Sequence, residues 1–302
     1  MKIVKTLIVL LVTLGIVVFA AACSKNSQTV PTEDAQKSLK IYTTFYPLYD
    51  FTKKIVGGNA QVENLIPAGA EPHDFELSPK QAAKIYDADI FIFLGESMEP
   101  WAKKMAEDLN KKGVTVIEAG KGLIENNDPH IWLDPVLAGK MAQSIYDGVV
   151  SADKGHEQYY KNNMTGLIQK LDELDKSFGQ IVSGSIRKDI VTFHGILGYA
   201  ARRYGFNQVA ITGLSPQEEP SPKKMAELIE FCRTKDIKYI FTEPGGSLKL
   251  SETLARESGT RILELNPLGT LRMDEMKAGE DYFSIMEKNL EVLKTALGFE
   301  NK

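Results

Sequence analysis

Three of the four histidines in the chain lie in short segments that hold an imidazole in a fixed place. His73 and His130 each follow a proline, and each is followed by a residue able to cap a helix, a second proline and a helical pattern. Proline fixes its own φ near −65° and restricts the residue before it, so both segments are stiff. One Pro-His pair would indicate only a histidine in a turn, but the repetition indicates two metal ligands.

The other two histidines differ in their surroundings. His194 directly follows the apolar run 191–193 and precedes a glycine and a helical pattern, which places it at the carboxyl end of a predicted strand. Ligands of open parallel sheets bind beyond the carboxyl ends of the strands, so we expect His194 to meet His73 and His130 in a cleft. His156 lies at the polar start of a long predicted helix and is expected to be solvated.

Three neutral imidazoles and one carboxylate complete a tetrahedral zinc site. Two acids are placed to supply the carboxylate: Glu243 ends the predicted strand 238–242, and Glu280 follows Gly279 just before the last predicted helix. The alternative for each acid is an exposed residue at the end of a strand or helix with no metal-binding role. In that case Glu280 would stabilise the start of the last predicted helix through the helix dipole. The residue pattern leaves the choice between these two acids open.

From residue 39 onward, short apolar runs alternate with helical patterns, which indicates mostly parallel α/β sheets. The predicted strands are residues 39–44, 61–66, 89–94, 114–117, 189–193, 208–212, 238–242 and 261–264. The predicted helices are residues 48–56, 79–88, 99–111, 153–182, 195–204, 221–234, 248–257 and 281–297, with one more starting at the Asp134-Pro135 pair. The stretch 153–182 keeps a spacing of three and four between apolar residues, so it is one amphipathic helix of roughly 45 Å.

The predicted fold class is therefore α/β, with two domains of mostly parallel sheets bridged by one long α-helix. The expected divisions are a signal peptide at 1–22, a lipid-anchored flexible tether at 23–38, an N-terminal α/β domain at 39–152, the linking helix at 153–183 and a C-terminal α/β domain at 184–302.

The first 22 residues have the pattern of an export signal, because Lys2 and Lys5 precede an apolar run, 7–22, that is short for a membrane span. The small residues before Cys23 resemble a bacterial lipobox, in which the cysteine is lipidated and becomes the first mature residue. The alternative is an Ala-x-Ala cleavage that leaves Cys23 free. We expect Cys23 to anchor the protein to the extracytoplasmic face of the cell membrane through a flexible tether.

Composition and missing motifs exclude other functions. A formal net charge of −4, with no stripe of basic residues interleaved with aromatics, argues against nucleic acid as a partner. The chain has no Cys-x-x-Cys pair, no G-x-x-x-x-G-K loop, no G-x-S-x-G elbow and no His-Glu-x-x-His motif. Cys232, the only cysteine besides Cys23, is expected to be a small core residue.

Several blocks, together with the export signal and lipobox, resemble the metal-binding solute-binding lipoproteins of ABC importers, known as cluster A-I or cluster 9. The blocks are Phe-Tyr-Pro-Leu at 45–48, Glu-Pro-His-Asp-Phe-Glu at 71–76, Asp-Pro-His-Ile-Trp-Leu-Asp-Pro at 128–135, Phe-His-Gly at 193–195, Phe-Thr-Glu-Pro at 241–244 and Gly-Glu-Asp-Tyr-Phe-Ser at 279–284. The resemblance implies two (β/α)4 domains bridged by one long helix, a metal ion in the cleft between them and a membrane permease as recipient. We expect a monomer that is not an enzyme.

The resemblance also implies a set of ligands. Matched block by block, they are His73, His130, His194 and, as the fourth, Glu280. Manganese members of the family carry glutamate at the third position and aspartate at the fourth, whereas zinc members carry histidine at the third, so His194 favours zinc, with manganese as the alternative. One departure is the segment 120–127, which lacks the long His-rich loop that many zinc members carry.

Two other kinds of protein are alternatives at this point. A secreted zinc hydrolase would keep one metal position open for water and would use Glu243 as a general base, whereas a carrier site is closed by protein ligands. An adhesin or structural surface protein would use the metal only to fasten two lobes together. Four converging ligands favour the carrier.

Overall fold

Short strands and longer helices alternate along the chain, as the apolar runs predict. The structure is a computed structural model and describes residues 38–244 and 248–300. The strands within these residues are β1 (Leu39–Thr43), β2 (Ala60–Asn64), β3 (Ile90–Phe93), β4 (Thr115–Glu118), β5 (Asp189–Thr192), β6 (Asn207–Ala210), β7 (Tyr239–Thr242) and β8 (Arg261–Glu264). The helices are α1 (Tyr46–Val56), α2 (Pro79–Tyr86), α3 (Pro100–Lys111), α4 (Pro135–Ala152), α5 (Glu157–Gly184), α6 (Gly198–Tyr204), α7 (Pro222–Thr234), α8 (Leu248–Ser258), α9 (Met273–Lys277) and α10 (Tyr282–Leu297).

The strands form two four-stranded sheets with the same order. The first sheet runs β2-β1-β3-β4 and the second runs β6-β5-β7-β8. Every pairing between these strands is parallel. In each sheet the chain reverses its direction of winding between the two central strands, β1 and β3 in the first sheet and β5 and β7 in the second. Loops that follow these central strands open a crevice where ligands bind in open α/β sheets.

The strand sequences are apolar on both faces because both faces of each sheet are covered. In β3, Ile90 and Ile92 face the large core, whereas Phe91 and Phe93 face a smaller core shared with α2 and α3. The second sheet follows the same scheme, and Cys232 of α7 is buried in its smaller core with 1% of its surface exposed. Successive side chains of a strand point to opposite faces of the sheet. Because both faces are covered here, no position along the strand needs a polar residue, and the strands are continuous apolar runs.

The long helix α5 joins the two sheets and closes the large core. It spans 28 residues, about 42 Å at 1.5 Å per residue. Its apolar stripe is buried against α1, α4 and α10, and its members are Tyr160, Met164, Leu167, Leu171, Leu174, Phe178 and Val182. The large core contains residues of both sheets, so the two halves share one apolar interior.

The observed elements agree with the sequence prediction to within a few residues, and the predicted fold class is confirmed. The long helix begins at Glu157, later than predicted, because a single 3-10 turn, Lys154–His156, precedes it. The five-residue helix α9 is not anticipated by the apolar pattern. The predicted residue boundaries of the two domains stay predictions, and the predicted signal peptide and Cys23 lie outside the described residues.

Candidate metal centre

The three histidines selected from the sequence meet at the carboxyl ends of the strands, between the two sheets. His73 follows β2, His130 follows β4 and His194 follows β5. Each offers one ring nitrogen to a common point, and these nitrogens all lie within 4.8 Å of one another. The ring centroids are 5.1 Å apart for His130 and His194, 5.3 Å for His73 and His130, and 5.6 Å for His73 and His194. All three rings line one cavity.

His130 is fixed by the carboxylate two residues before it. Asp128 Oδ1 accepts a hydrogen bond from the His130 backbone N–H at 3.1 Å and lies 2.8 Å from His130 Nδ1. Both side chains are buried. The ring nitrogen that faces Asp128 is Nδ1, so Nε2 is the nitrogen directed at the other histidines.

His194 is fixed in the same way by a residue that is distant in sequence. Glu243 Oε1 accepts from the His194 backbone N–H at 3.2 Å and lies 2.6 Å from His194 Nδ1. His194 directly follows β5 and Glu243 directly follows β7, and these two strands pair. Glu243, which the sequence offered as a candidate metal ligand, therefore contacts the far side of His194.

His73 is held more loosely than the other two histidines. It lies in a 3-10 turn, Pro72–Asp74, whose preceding residue Glu71 accepts a hydrogen bond from the His73 backbone N–H at 3.1 Å. Its side chain is only half-buried, whereas His130 and His194 are buried. The site thus combines two rigid imidazoles with one on a more exposed turn.

The spacing of the two buried rings suits a shared cation. His130 Nε2 and His194 Nε2 are 3.2 Å apart. Two imidazole nitrogens bound to one tetrahedral zinc at 2.0–2.1 Å would lie about 3.3 Å apart, so these atoms are already at ligand spacing. Two lone pairs at this distance repel each other unless a proton or a metal ion lies between them. The arrangement therefore favours binding of a cation.

Burial favours the neutral form of two of the histidines, His73 and His130, and the neutral form is the one that binds a metal. Burial, assisted by the neighbouring His130 and His194, lowers the pKa of His73 to about 3. Burial also lowers the pKa of His130, against the opposing effect of its hydrogen bond to Asp128. Few protons would have to leave these two rings when a metal enters near neutral pH.

Three hydrogen bonds to the second half fasten the segment that carries His130. The Tyr199 hydroxyl donates to the Asp128 carbonyl at 2.7 Å, and the Tyr282 hydroxyl donates to the Trp132 carbonyl at 2.5 Å. The Trp132 indole N–H donates to the Pro267 carbonyl at 2.8 Å. The His130 segment belongs to the first half in sequence but is built into both halves in space.

The end of the same segment is anchored as the sequence predicted. Asp134 caps α4 by accepting from the backbone N–H groups of Val136 and Leu137, both at 3.0 Å. Its second oxygen accepts from Arg203 Nε of α6 at 2.6 Å. The helix cap and the ion pair together fix the chain direction four residues after His130.

Glu280 lies apart from the three histidines. Its carboxylate is 2.6 Å from Lys288 Nζ, and Lys288, together with Ser284, lowers the pKa of Glu280. It lines a neighbouring cavity that shares Asn266 and Arg272 with the histidine cavity. Within residues 38–244 and 248–300, the cluster of metal-ligating groups therefore contains the three histidines and no carboxylate.

His156 lies at the start of the long helix, as predicted, and outside the cluster. It is half-exposed, and its Nδ1 lies 2.7 Å from Asp153 Oδ2 near the start of α5. This places the fourth histidine in a local hydrogen-bonded turn, away from the cluster.

The fold and the cluster define a class of two-lobed α/β proteins that hold a metal-binding group of side chains between two parallel sheets. A family model described as zinc-uptake complex component A, periplasmic, matches residues 41–296. The chain belongs to this family, ZnuA, which confirms the resemblance found in the sequence blocks. The family is one of metal-uptake components and not of enzymes.

Individual relatives agree with the family assignment. The zinc-binding lipoprotein AdcA of Streptococcus pneumoniae is 40% identical over 296 residues, which cover 91% of this chain and 58% of AdcA. The chain thus spans less than two-thirds of the length of that relative. The crystal structure of the Zn(II)-bound ZnuA-like domain of AdcA superposes with a TM-score of 0.78 at 43% identity, covering 86% of this chain and 99% of that domain.

Two further relatives cover this chain and their own length almost completely. The high-affinity zinc uptake system protein ZnuA of Bacillus subtilis is 36% identical over 92% of this chain and 93% of that protein. The laminin-binding protein Lmb of Streptococcus agalactiae, described as bifunctional with adhesin and metal transporting activity, has a TM-score of 0.80 at 32% identity, over 86% of this chain and 100% of Lmb.

No helix among the described residues is long and apolar enough to cross a membrane.

Proposed function

We propose that this protein captures a zinc ion between its two sheets, outside the cytoplasm, and delivers it to the permease of an ABC importer. The single observation that carries the proposal is the convergence of His73, His130 and His194, with their ligating nitrogens within 4.8 Å of one another. Three neutral imidazoles suit zinc better than manganese, which prefers oxygen ligands. Membership of a zinc-uptake family supports the same metal and the same kind of recipient.

The contacts of Glu243 argue against the hydrolase alternative. A catalytic base must reach a metal-bound water, but Glu243 Oε1 is engaged by both the backbone and the ring of His194. A purely adhesive role is a weaker candidate because metal transport accompanies adhesion even in the laminin-binding relative. Deleting the protein from its host should therefore impair growth in zinc-depleted medium, and added zinc, not manganese, should restore it. Normal growth under zinc depletion would contradict the proposal.

We further propose that Glu280 becomes the fourth ligand after its carboxylate leaves Lys288. The two neighbouring cavities share Asn266 and Arg272, so Glu280 lies next to the histidine cavity. Gly279, directly before it, has a φ of 76°, a conformation that glycine adopts without strain. Asp281, directly after it, caps α10 and pairs with Lys54 at 2.9 Å, so the chain on that side is anchored. Movement of Glu280 towards the histidines would therefore depend on rotation of its own side chain and on the backbone freedom of Gly279.

Substitutions on α10 test this fourth ligand. Glu280→Gln should weaken zinc binding about tenfold or more, since the amide is a poor zinc ligand. Lys288→Met should strengthen binding by up to about fivefold, because an exposed ion pair stabilises its geometry by ~1 kcal/mol or less. Titration against a competing zinc chelator measures both effects, with Glu287→Gln, an exposed neighbour on α10, as the control. Wild-type affinity in both test variants would show that Glu280 is only the partner of Lys288.

We also propose that Cys23 carries the lipid anchor of the mature protein. The proposal is motivated by the apolar run that ends in small residues before Cys23 and by the relative that is a lipoprotein. Cys23→Ser should abolish labelling by a radioactive fatty acid and move the protein from the membrane fraction to the medium, or leave an unprocessed precursor. One acyl chain binds a membrane only marginally, so two or more chains are expected. A Cys23→Ser variant that stays processed and membrane-bound would refute this assignment.

A further inference from the structure

Two of the three histidines share a contact that the third lacks. In each case one carboxylate oxygen accepts the backbone N–H and also faces Nδ1 of the same histidine: Asp128 Oδ1 at 3.1 and 2.8 Å for His130, and Glu243 Oε1 at 3.2 and 2.6 Å for His194. Two contacts from one oxygen fix both the position of the chain and the angle of the ring. Asp128 was not among the candidate ligands, and Glu243, which was, contacts the ring of His194 on its Nδ1 side.

From this geometry we propose that Asp128 and Glu243 are positioning residues that hold His130 and His194 in the Nδ1-protonated form, with Nε2 directed at the metal. The inference rests on the proposed metal-binding function and adds to it. A carboxylate behind a metal-binding imidazole fixes the ring proton and orientation and raises the basicity of the ligating nitrogen. The 3.2 Å separation of the two Nε2 atoms is the result expected when both rings are held in this way.

The corresponding place in the first sheet carries a threonine in place of the histidine. Thr44 and His194 each stand three residues after the first residue of their strand that pairs with the neighbouring central strand, Ile41 in β1 and Val191 in β5. Thr44 donates its hydroxyl to buried Glu99. Both halves therefore pair a strand-end side chain with a buried glutamate, but only the second half uses a histidine.

The charge of a bound metal ion supports the same positioning role for Asp128 and Glu243. A divalent ion bound by three neutral imidazoles keeps its charge of +2 in a cleft where His130 and His194 are 1% and 2% exposed. Asp128 and Glu243 together supply two negative charges directly behind these rings. Buried charge is costly unless it is compensated, so these carboxylates would stabilise the bound ion without touching it.

Two measurements on four proteins test the inference: the wild type, Asp128→Asn, Glu243→Gln and the control Glu99→Gln. Substitution of a partner behind a metal ligand costs 10- to 100-fold in affinity, so zinc binding should weaken about 10- to 100-fold in the first two variants and less than about threefold in the control. Histidine ¹⁵N chemical shifts of the metal-free proteins report which ring nitrogen carries the proton. His130 and His194 should be protonated on Nδ1 in the wild type, and each variant should shift the proton of its own histidine only.

The ring-proton measurement separates a positioning role from a general loss of structure. An affinity loss with unchanged ¹⁵N shifts would overturn the inference, as would unchanged affinity in both variants. If His130 and His194 show the expected wild-type protonation but the wild type does not bind zinc, the proposed function fails, and with it the role of the two carboxylates in metal binding, while their control of the ring protons stands. Circular dichroism of each variant confirms that it is folded before either comparison.

Discussion

Replacing His130 by alanine should weaken zinc binding by more than about 100-fold, because substitution of residues behind metal ligands already costs 10- to 100-fold. His130 is buried, its Nε2 is at ligand spacing from His194 Nε2, and its loss leaves two imidazoles. His73→Ala should have an effect of the same kind at a more exposed position, where the risk to folding is smaller. Competition with a zinc chelator measures both affinities.

His156→Ala is the matched control for these variants. It also removes an imidazole that lies 2.7 Å from a carboxylate, but at the start of α5 and outside the cluster. Its zinc affinity should equal that of the wild type. Retention of wild-type affinity by both His130→Ala and His73→Ala would show that the metal binds elsewhere.

The free energy of unfolding of the metal-free protein should depend on His73 as the pH falls from about 6.5 to 5. The folded pKa of His73 is lowered to about 3, below the value of about 6.5 for an unfolded histidine. Unfolding in this window takes up a proton, so the contribution of His73 to stability is lost as the pH falls. Uptake of one proton on unfolding changes the free energy of unfolding by about 1.4 kcal/mol for each pH unit. His130, whose pKa is also lowered, acts in the same direction.

A buried acid opposes this effect. Burial raises the pKa of Glu99 to about 7, so the folded state binds more protons than the unfolded state between roughly pH 4.5 and 7. Its contribution to stability therefore grows as the pH falls through this window. The net slope of the wild type is the sum of opposing effects, and differences between variants separate them.

Urea unfolding at several pH values, with a chelator present, measures these slopes. In His73→Gln the decline in stability between pH 6.5 and 5 should be smaller than in the wild type by up to about 1.4 kcal/mol per pH unit. In Glu99→Gln the decline should be steeper by a similar amount. Identical slopes in the wild type and His73→Gln would show that His73 is protonated equally in both states.

Local sequence patterns were sufficient to predict most of the helices and strands. The Asp134-Pro135 pair predicts the start of α4 because a cap and a first-turn proline act within four residues, and Asp134 does cap that helix. The convergence of the three histidines follows from a general property of parallel sheets, in which the loops after the strands lie at one edge. Neither inference requires knowledge of which strands are neighbours.

The carboxylate partners depend on information that a single sequence does not display. Asp128 lies two residues before His130, so an Asp-x-His spacing was a local signal for its role. Glu243 meets His194 only because β5 and β7 pair, and the strand order was not predicted. The observed position of Glu280 depends on competition with Lys288, eight residues later on α10, which no local pattern indicates.

The shared apolar interior determines how the chain can fold. Residues of both sheets and of α5 belong to one large core, so a fragment that contained only the first half would expose the apolar surface that the second half covers. We therefore expect the folding of the two halves to be coupled through this core. A ligand that binds only the folded form stabilises it by mass action, about 4 kcal/mol at a thousandfold excess over its dissociation constant. Metal capture would consequently protect both halves against unfolding and proteolysis, including helices far from the histidines.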